Sequence, residues 1–174
     1  MHTDGEFGAA PFLIENIGLL PKGRALDIAM GSGRNTIYLA KMGFDAEGVD
    51  ISEEAVKTAL ERAEASGVKI DARVADIETE DYLIDKDAYD VIICFNYLHR
   101  PLVRQIRDGL KKGGVVVYQT YTVDQLQFGK PCNTDFLLGY NELLEMFRSF
   151  RCLRYHEEIM DHRKAVAGII ARKV

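Results

Sequence analysis

Along most of this chain, short apolar runs that end in a polar or acidic residue alternate with stretches of helical spacing. Residues 24–29 read as a strand. The helix that follows from Asn35 carries Ile37, Tyr38, Leu39 and Met42 and stops at Gly43. Residues 44–50 alternate as a second strand. Ser52 is placed to cap the next helix, Glu53 and Glu54 suit its first turn, and Ala55, Val56, Ala59, Leu60 and Ala63 form its apolar face before Ser66-Gly67. Residues 68–74 alternate again and run into Ala75-Asp76-Ile77. Residues 89–95 are nearly all apolar, as a strand buried on both faces must be. Pro101 opens a helix with Leu102, Val103, Ile106 and Leu110 inward, expected to close on Lys111-Lys112 and Gly113-Gly114. Residues 115–121 form a fifth strand.

Strand–helix alternation of this kind requires right-handed crossovers and a parallel sheet. After Tyr121 the pattern changes. Residues 122–138 are long and irregular, the length of a functional lid, and are expected to roof a substrate site. A helix near 141–147 follows, then strands near 151–158 and 165–172. The short polar link Met160-Asp161-His162-Arg163 makes those two an antiparallel hairpin. At the front, a polar segment precedes Pro11, Phe12, Leu13, Ile14, Ile17 and Leu20, whose spacing is partly helical. Residues 1–23 are expected to cover a sheet edge, the alternative being that they also close over a ligand pocket. The fold class is therefore α/β: a Rossmann-like, doubly wound, mostly parallel seven-stranded sheet with an antiparallel C-terminal hairpin, in a single domain spanning 1–174.

Composition narrows the function. The chain has 174 residues, 47% of them hydrophobic and 28% charged, and a net charge of −5. That balance is ordinary for a soluble domain and argues against tracking a phosphate backbone by bulk charge, so no nucleic-acid partner is expected. No apolar run reaches the length of a membrane span, and the first residues lack a signal-peptide layout. Three cysteines without Cys-x-x-Cys spacing read as reduced thiols of a cytoplasmic protein. The four histidines form no ligand pair at helical spacing, so no metal site is expected.

In an open parallel sheet, ligands bind outside the carboxyl ends of the strands. The candidate polar groups fall at such ends: Asp27, Asp50, Asp76, Asn96 to Arg100, and Gln119 to Thr122. Asp50 can accept both hydroxyl hydrogens of an adenosine ribose. Asp76 can hold the adenine amine while Ile77 packs on the ring. Asp27 lies too deep for a ribose and suits an ammonium or a water. The glycine turn Gly31-Ser32-Gly33 leaves two cofactors open. A nicotinamide dinucleotide needs a third glycine where this chain has Thr36, and Asp27 would repel its pyrophosphate. S-adenosylmethionine carries no phosphate and brings both a sulfonium and an ammonium, so it is favoured.

Five motifs in order carry a resemblance: Leu26-Asp27-Ile28-Ala29-Met30-Gly31-Ser32-Gly33, Gly48-Val49-Asp50-Ile51-Ser52, Ala75-Asp76-Ile77, Tyr89-Asp90-Val91-Ile92 and Leu110-Lys111-Lys112-Gly113-Gly114. Together the chain resembles the class I S-adenosylmethionine-dependent methyltransferases. Gly33-Arg34-Asn35-Thr36-Ile37-Tyr38-Leu39-Ala40 is most similar to small-molecule enzymes of the tellurite-resistance and thiopurine-methyltransferase type. The resemblance implies cofactor positions at Asp27, Ala29, Met30, Gly31, Gly33, Asp50, Ile51, Asp76, Ile77, Phe95 and Asn96. It implies in-line methyl transfer, in which alignment supplies much of the rate. His99, after the fourth strand, is the candidate general base.

Tyr97, Gln119, Tyr121 and Phe128 are expected to wall the substrate site, and Arg34, Arg100 and Lys130 to attract an anionic acceptor. Two departures stand out. Ala29 replaces a usual glycine, which is harmless if its φ is negative, and Lys112 replaces a usual proline. Asn96-Tyr97-Leu98-His99 lacks the paired prolines of adenine-methylating DNA enzymes. The expected acceptor is therefore a small molecule, a thiol or a metalloid oxyanion such as tellurite. Two alternatives remain, a non-catalytic S-adenosylmethionine-binding module and an NAD-dependent reductase. The chain is expected to act as a monomer or homodimer.

Overall fold

A computed structural model describes residues 8–174. The polar opening segment, expected to be mobile or a short lid, lies outside the described residues up to position 7. In chain order the elements are α1 (Pro11–Asn16) with a 3₁₀ turn (Ile17–Leu19), β1 (Arg24–Ile28), α2 (Arg34–Lys41), β2 (Asp45–Asp50), α3 (Glu53–Ala65), β3 (Asp71–Val74) and β4 (Tyr89–Phe95). Then come α4 (Leu102–Gly109), β5 (Leu110–Tyr121), α5 (Glu142–Met146), β6 (Arg151–Met160) and β7 (Lys164–Arg172).

The seven strands form one sheet in the order β3-β2-β1-β4-β5-β7-β6. The first five run parallel, while β7 pairs antiparallel with both β5 and β6. Alternation along each central strand feeds two cores. Ala25, Val91, Ile93, Phe95, Val115 and Val117 face α1, α2 and α3, where Leu13, Leu39 and Ala59 are fully buried. Leu26, Ile28, Ile92, Cys94 and Val116 face α4 and α5 with Ile106, Leu143 and Phe147. The sheet is thus covered on both sides, and its cofactor-type edge is the carboxyl ends of β1, β2 and β4.

Several boundaries differ from expectation, and backbone pairing explains each. The helix expected to run through Lys112 ends at Gly109, and Leu110 to Gly114 are the first residues of β5. There Leu110 pairs with Tyr89, the register shifts before Val91 meets Val115, and Lys111 Nζ reaches Asp90 Oδ2 at 3.0 Å. The third strand begins at Asp71 rather than Val68, because its pairing with β2 starts at Glu47.

The expected roof, residues 122–138, is not structureless. It holds two 3₁₀ turns, Val123–Gln127 and Thr134–Phe136, and its ends meet where Thr122 bridges Leu138. Its internal anchor is Gln125, 3% exposed. The Gln125 amide donates to the carbonyls of Lys130 and Arg163, and its oxygen accepts from Ala165 N at 2.8 Å. Removing that amide strands three backbone groups, one of them the buried Ala165 N–H. Gln125→Ala is therefore expected to lower stability by roughly 1–3 kcal/mol in urea denaturation, and Gln125→Glu, which keeps the acceptor for Ala165 N but has no N–H for the two carbonyls, loses at least as much.

Candidate functional site

The end of β1 turns on an unusual run of backbone conformations. Ala29, Gly31 and Gly33 have φ of 54°, 57° and 81°. Gly33 is required twice over. Its φ is left-handed, and a Cβ there would lie 2.8 Å from Ala59 Cβ, so the close approach of α3 needs its absence. Ala29 has no such excuse. The negative φ on which its tolerance depended is not found, and an L-residue in this region costs about 1–2 kcal/mol.

Side-chain hydrogen bonds hold the turn in place. Thr36 donates its hydroxyl hydrogen to Asp27 Oδ2 at 2.7 Å. Gly31 N donates to Asp50 Oδ2 and Ser52 N to Asp50 Oδ1, both at 2.9 Å. From α3, Arg62 donates to Ser32 Oγ at 2.8 Å. Across the turn, Asn35 Oδ1 accepts from Ala10 N at 2.8 Å, with both residues buried, and so ties the entry of α1 to the glycine loop.

These contacts frame a cavity of about 410 Å³ lined by Asp27, Ala29, Met30, Gly31, Ser32, Arg34, Asn35, Phe95, Asn96 and Lys164. The size is that of a small-molecule or cofactor site. Asp27 is 2% exposed, and burial pushes its carboxyl up to about 7, against the opposing hydrogen bond from Thr36 and the positive charge of Arg34. The floor is thus a carboxyl group poised to ionise when a cation arrives, with Arg34 and Lys164 on the wall to meet an anion. Asn96, at φ 56° and with its N–H donated to the Gln119 carbonyl, brings backbone to the same cavity from the end of β4.

The other expected positions divide. Asp50 stands one hydrogen bond behind the cavity, through Gly31, and both its oxygens already accept backbone donors. Ile51 is 67% exposed beside it. Asp76 Oδ1 accepts from Glu78 N in a local turn, and Ile77 is buried in the α4 core rather than free to cover a ring. His99 does not reach the cavity. It lines a separate cleft with Ile77, Glu78 and Gln105, its Nδ1 3.8 Å from Glu78, to which Tyr97 also donates. Arg100 is spent on structure, clamped to Glu142 and to the carbonyls of Asp135 and Leu137. Neither Tyr121 nor Phe128 lines the cavity or its neighbour.

That neighbour is a second cavity of about 230 Å³, sharing Arg34, Phe95, Asn96 and Lys164 with the first and adding Pro11, Gln119, Met160 and Asp161. Gln119, expected to wall a substrate site, lines this second cavity and not the first. Ser32, Asn35, Lys164 and Met160 were not anticipated. Ser32 and Asn35 sit inside the glycine motif and could have been drawn from it. Nothing local marks Lys164 or Met160, which arrive through the β6–β7 turn.

The profile of the family described as "Methyltransferase domain" matches residues 25–114. The "Probable S-adenosyl-L-methionine-dependent methyltransferase TehB" of Haemophilus influenzae is 26% identical over 148 residues, covering 81% of this chain and 50% of its own. A "Ubiquinone biosynthesis O-methyltransferase" of Idiomarina loihiensis is 32% identical over 126 residues, 68% of this chain and 45% of its own. The chain thus spans about half the length of the curated relatives it matches. The crystal structure of TehB from Haemophilus influenzae superposes with a TM-score of 0.79 at 22% identity, over 95% of this chain and 63% of that one, which shows the shared fold.

Two outcomes follow from the loop. Between pH about 4 and about 7 the folded protein holds an Asp27 proton that the unfolded chain has released, so this group's contribution to stability is lost as pH rises through that window. Asp27→Asn, which keeps an acceptor for Thr36, should be more stable than the parent by roughly 2–4 kcal/mol above pH 7 and no more stable near pH 4, read by denaturant midpoints. Ala29→Gly should raise stability by roughly 0.5–1 kcal/mol, the relief of left-handed strain less the added freedom of the unfolded chain. A thermal melt showing Ala29→Gly below the parent would contradict that strain.

Proposed function

We propose a reaction for this chain, which belongs to the methyltransferase domain family: it binds S-adenosylmethionine at the glycine loop and transfers the methyl group to a small molecule. The observation that carries the reading is the buried Asp27 carboxyl on the floor of the cavity. A ligand with an ammonium gains from that group becoming ionised, whereas a pyrophosphate would meet it as a repulsion. This separates the reading from an NAD-dependent reductase, as does Thr36, whose hydroxyl is used on Asp27 where a dinucleotide loop has its third glycine.

The residues present fit the cofactor. Asp27 would face the ammonium, and Arg34 or Lys164 the carboxylate. The lone pairs of Asp50 not taken by Gly31 and Ser52 would accept ribose hydroxyls, with exposed Ile51 beside them. Bound there, the cofactor supplies an activated methyl on sulfur. The chain's own work is to align an acceptor with it and to exclude water.

A thiol acceptor is favoured over a metalloid oxyanion such as tellurite, since Asp27 and Asp161 face the same connected space as the two cations. The negative net charge supports a small molecule over nucleic acid. A monomer or homodimer is proposed.

Calorimetry with S-adenosylhomocysteine tests the reading. Binding in the micromolar range is expected, weakened about tenfold or more by Asp50→Ala, with affinity rising through pH about 7 in the parent and flat in Asp27→Asn. Saturable binding of a nicotinamide dinucleotide with none of S-adenosylhomocysteine would overturn it. Binding without transfer of labelled methyl to any acceptor in a thiol and oxyanion panel would leave the non-catalytic module.

A further inference from the structure

Beyond the cavity that opens beside Gln119 lies a third, of about 400 Å³, between α1 and the face of β5, β7 and β6. It shares Pro11, Gln119 and Met160 with its neighbour, so the three spaces run in sequence from the glycine loop to the last strand of the sheet. At its floor stands His156, in the middle of β6. The imidazole is held by design of the strands around it. It lies across from Gly168 of β7, where a Cβ would approach His156 Nε2 to 2.2 Å, and Phe12 of α1 packs on it with ring centroids 4.7 Å apart. A glycine inside a buried central strand weakens that strand and is kept where something must come close. Here the imidazole is what comes close.

The polar surroundings of the ring are those of a base. His156 Nδ1 is buried, without a hydrogen bond among the described residues, and 2.9 Å from Glu158 Oε1. A carboxylate at that distance favours the tautomer with the proton on Nδ1. Nε2 then carries the lone pair, which accepts from the Gln119 amide until an acceptor's proton takes that place. It faces Gln119 Nε2 at 3.5 Å, the residue common to the second and third cavities. The other charged groups lining this space are Glu15 from α1 and Arg154 from β6. Two carboxylates against one guanidinium disfavour an anion, while Phe12 and Met160 offer apolar walls for a ring.

Building on the methyl-transfer reading, we propose that this third cavity is the acceptor site, that it takes an uncharged, ring-bearing molecule with a hydroxyl or thiol, and that His156 is its general base. His156 Nε2 removes the proton from the acceptor's O–H or S–H. The lone pair left on that oxygen or sulfur attacks the methyl carbon of S-adenosylmethionine, and the carbon–sulfonium bond breaks with its pair to sulfur. The products are the methylated acceptor and S-adenosylhomocysteine, and the proton leaves from the imidazolium to solvent.

The test compares two probes, a simple phenol, protonated at neutral pH, and 4-nitrothiophenol, already ionised there. His156→Gln should lower kcat at least 100-fold for the phenol and less than about threefold for the thiophenolate, because only the phenol needs a base. Its affinity for S-adenosylhomocysteine should match the parent's, which also shows that the variant folds. Gly168→Ala, by displacing the ring, should show the same split in weaker form. Equal losses on both probes, or none on either, overturn the assignment of His156. A parent that binds S-adenosylhomocysteine but methylates neither probe overturns the acceptor class. A parent that does not bind S-adenosylhomocysteine at all is instead a failure of the cofactor reading on which this proposal rests.

Discussion

The backbone reversal after β1 is the constraint on which the rest of the molecule depends. Between Ile28 and Arg34 the chain must leave a strand buried on both faces and enter a helix packed back on it, within a span that includes left-handed φ values at Ala29, Gly31 and Gly33. No local preference keeps it there. It is held by two acids of adjacent strands, Asp27 through Thr36 and Asp50 through Gly31, and from outside by Arg62. Each of those bonds also sets something else. Thr36 fixes the Asp27 carboxyl at the cavity floor, Asp50 ties the loop to the end of β2, and Asn35, one residue into α2, carries α1 with it.

A division of labour follows. The family match covers residues 25–114, which contain β1 to β4, the glycine loop and the ends of strands where a cofactor belongs. Most of β5, the whole β6–β7 hairpin and α1 lie outside it. Those are the elements that wall the second and third cavities. A relative can share the first part closely and differ in the second. The matched segment therefore holds the glycine loop, and the unmatched part supplies most of the lining of the other two cavities.

The sequence shows the parallel half plainly, because its strands are short, apolar and closed by acids whose spacing survives any detail of packing. The order of motifs was enough to place Asp27, Met30, Gly31, Arg34, Phe95 and Asn96 around one cavity. What it could not show is conformation and register. The sign of φ at Ala29 is decided by what packs around the loop, not by the alanine. Arg100 reads as a free cation at a strand end, and only the fold brings Glu142 and two carbonyls of residues 135–137 to occupy it. The two histidines make the same point in opposite directions. His99 follows a strand end, where chemistry is expected, yet faces Glu78 in a separate cleft. His156 lies inside an edge strand, where a polar residue reads as solvated, and its setting comes from Gly168, Phe12 and Gln119, residues between 12 and 144 positions away that only the antiparallel register assembles.

That assembly also means the two ends of the site are mechanically joined. The entry of α1 hangs on the Ala10–Asn35 bond, and Asn35 lines the first cavity while Phe12, two residues after Ala10, packs on His156 in the third. The glycine loop and the wall of the third cavity are thus joined through a buried hydrogen bond rather than through solvent. The electrostatics point the same way. Before any cation arrives the Asp27 carboxyl keeps its proton near neutrality, so Arg34 lacks a fully charged partner beneath it. Once that proton is displaced, the floor carries a full negative charge beneath Arg34, which also lines the second cavity.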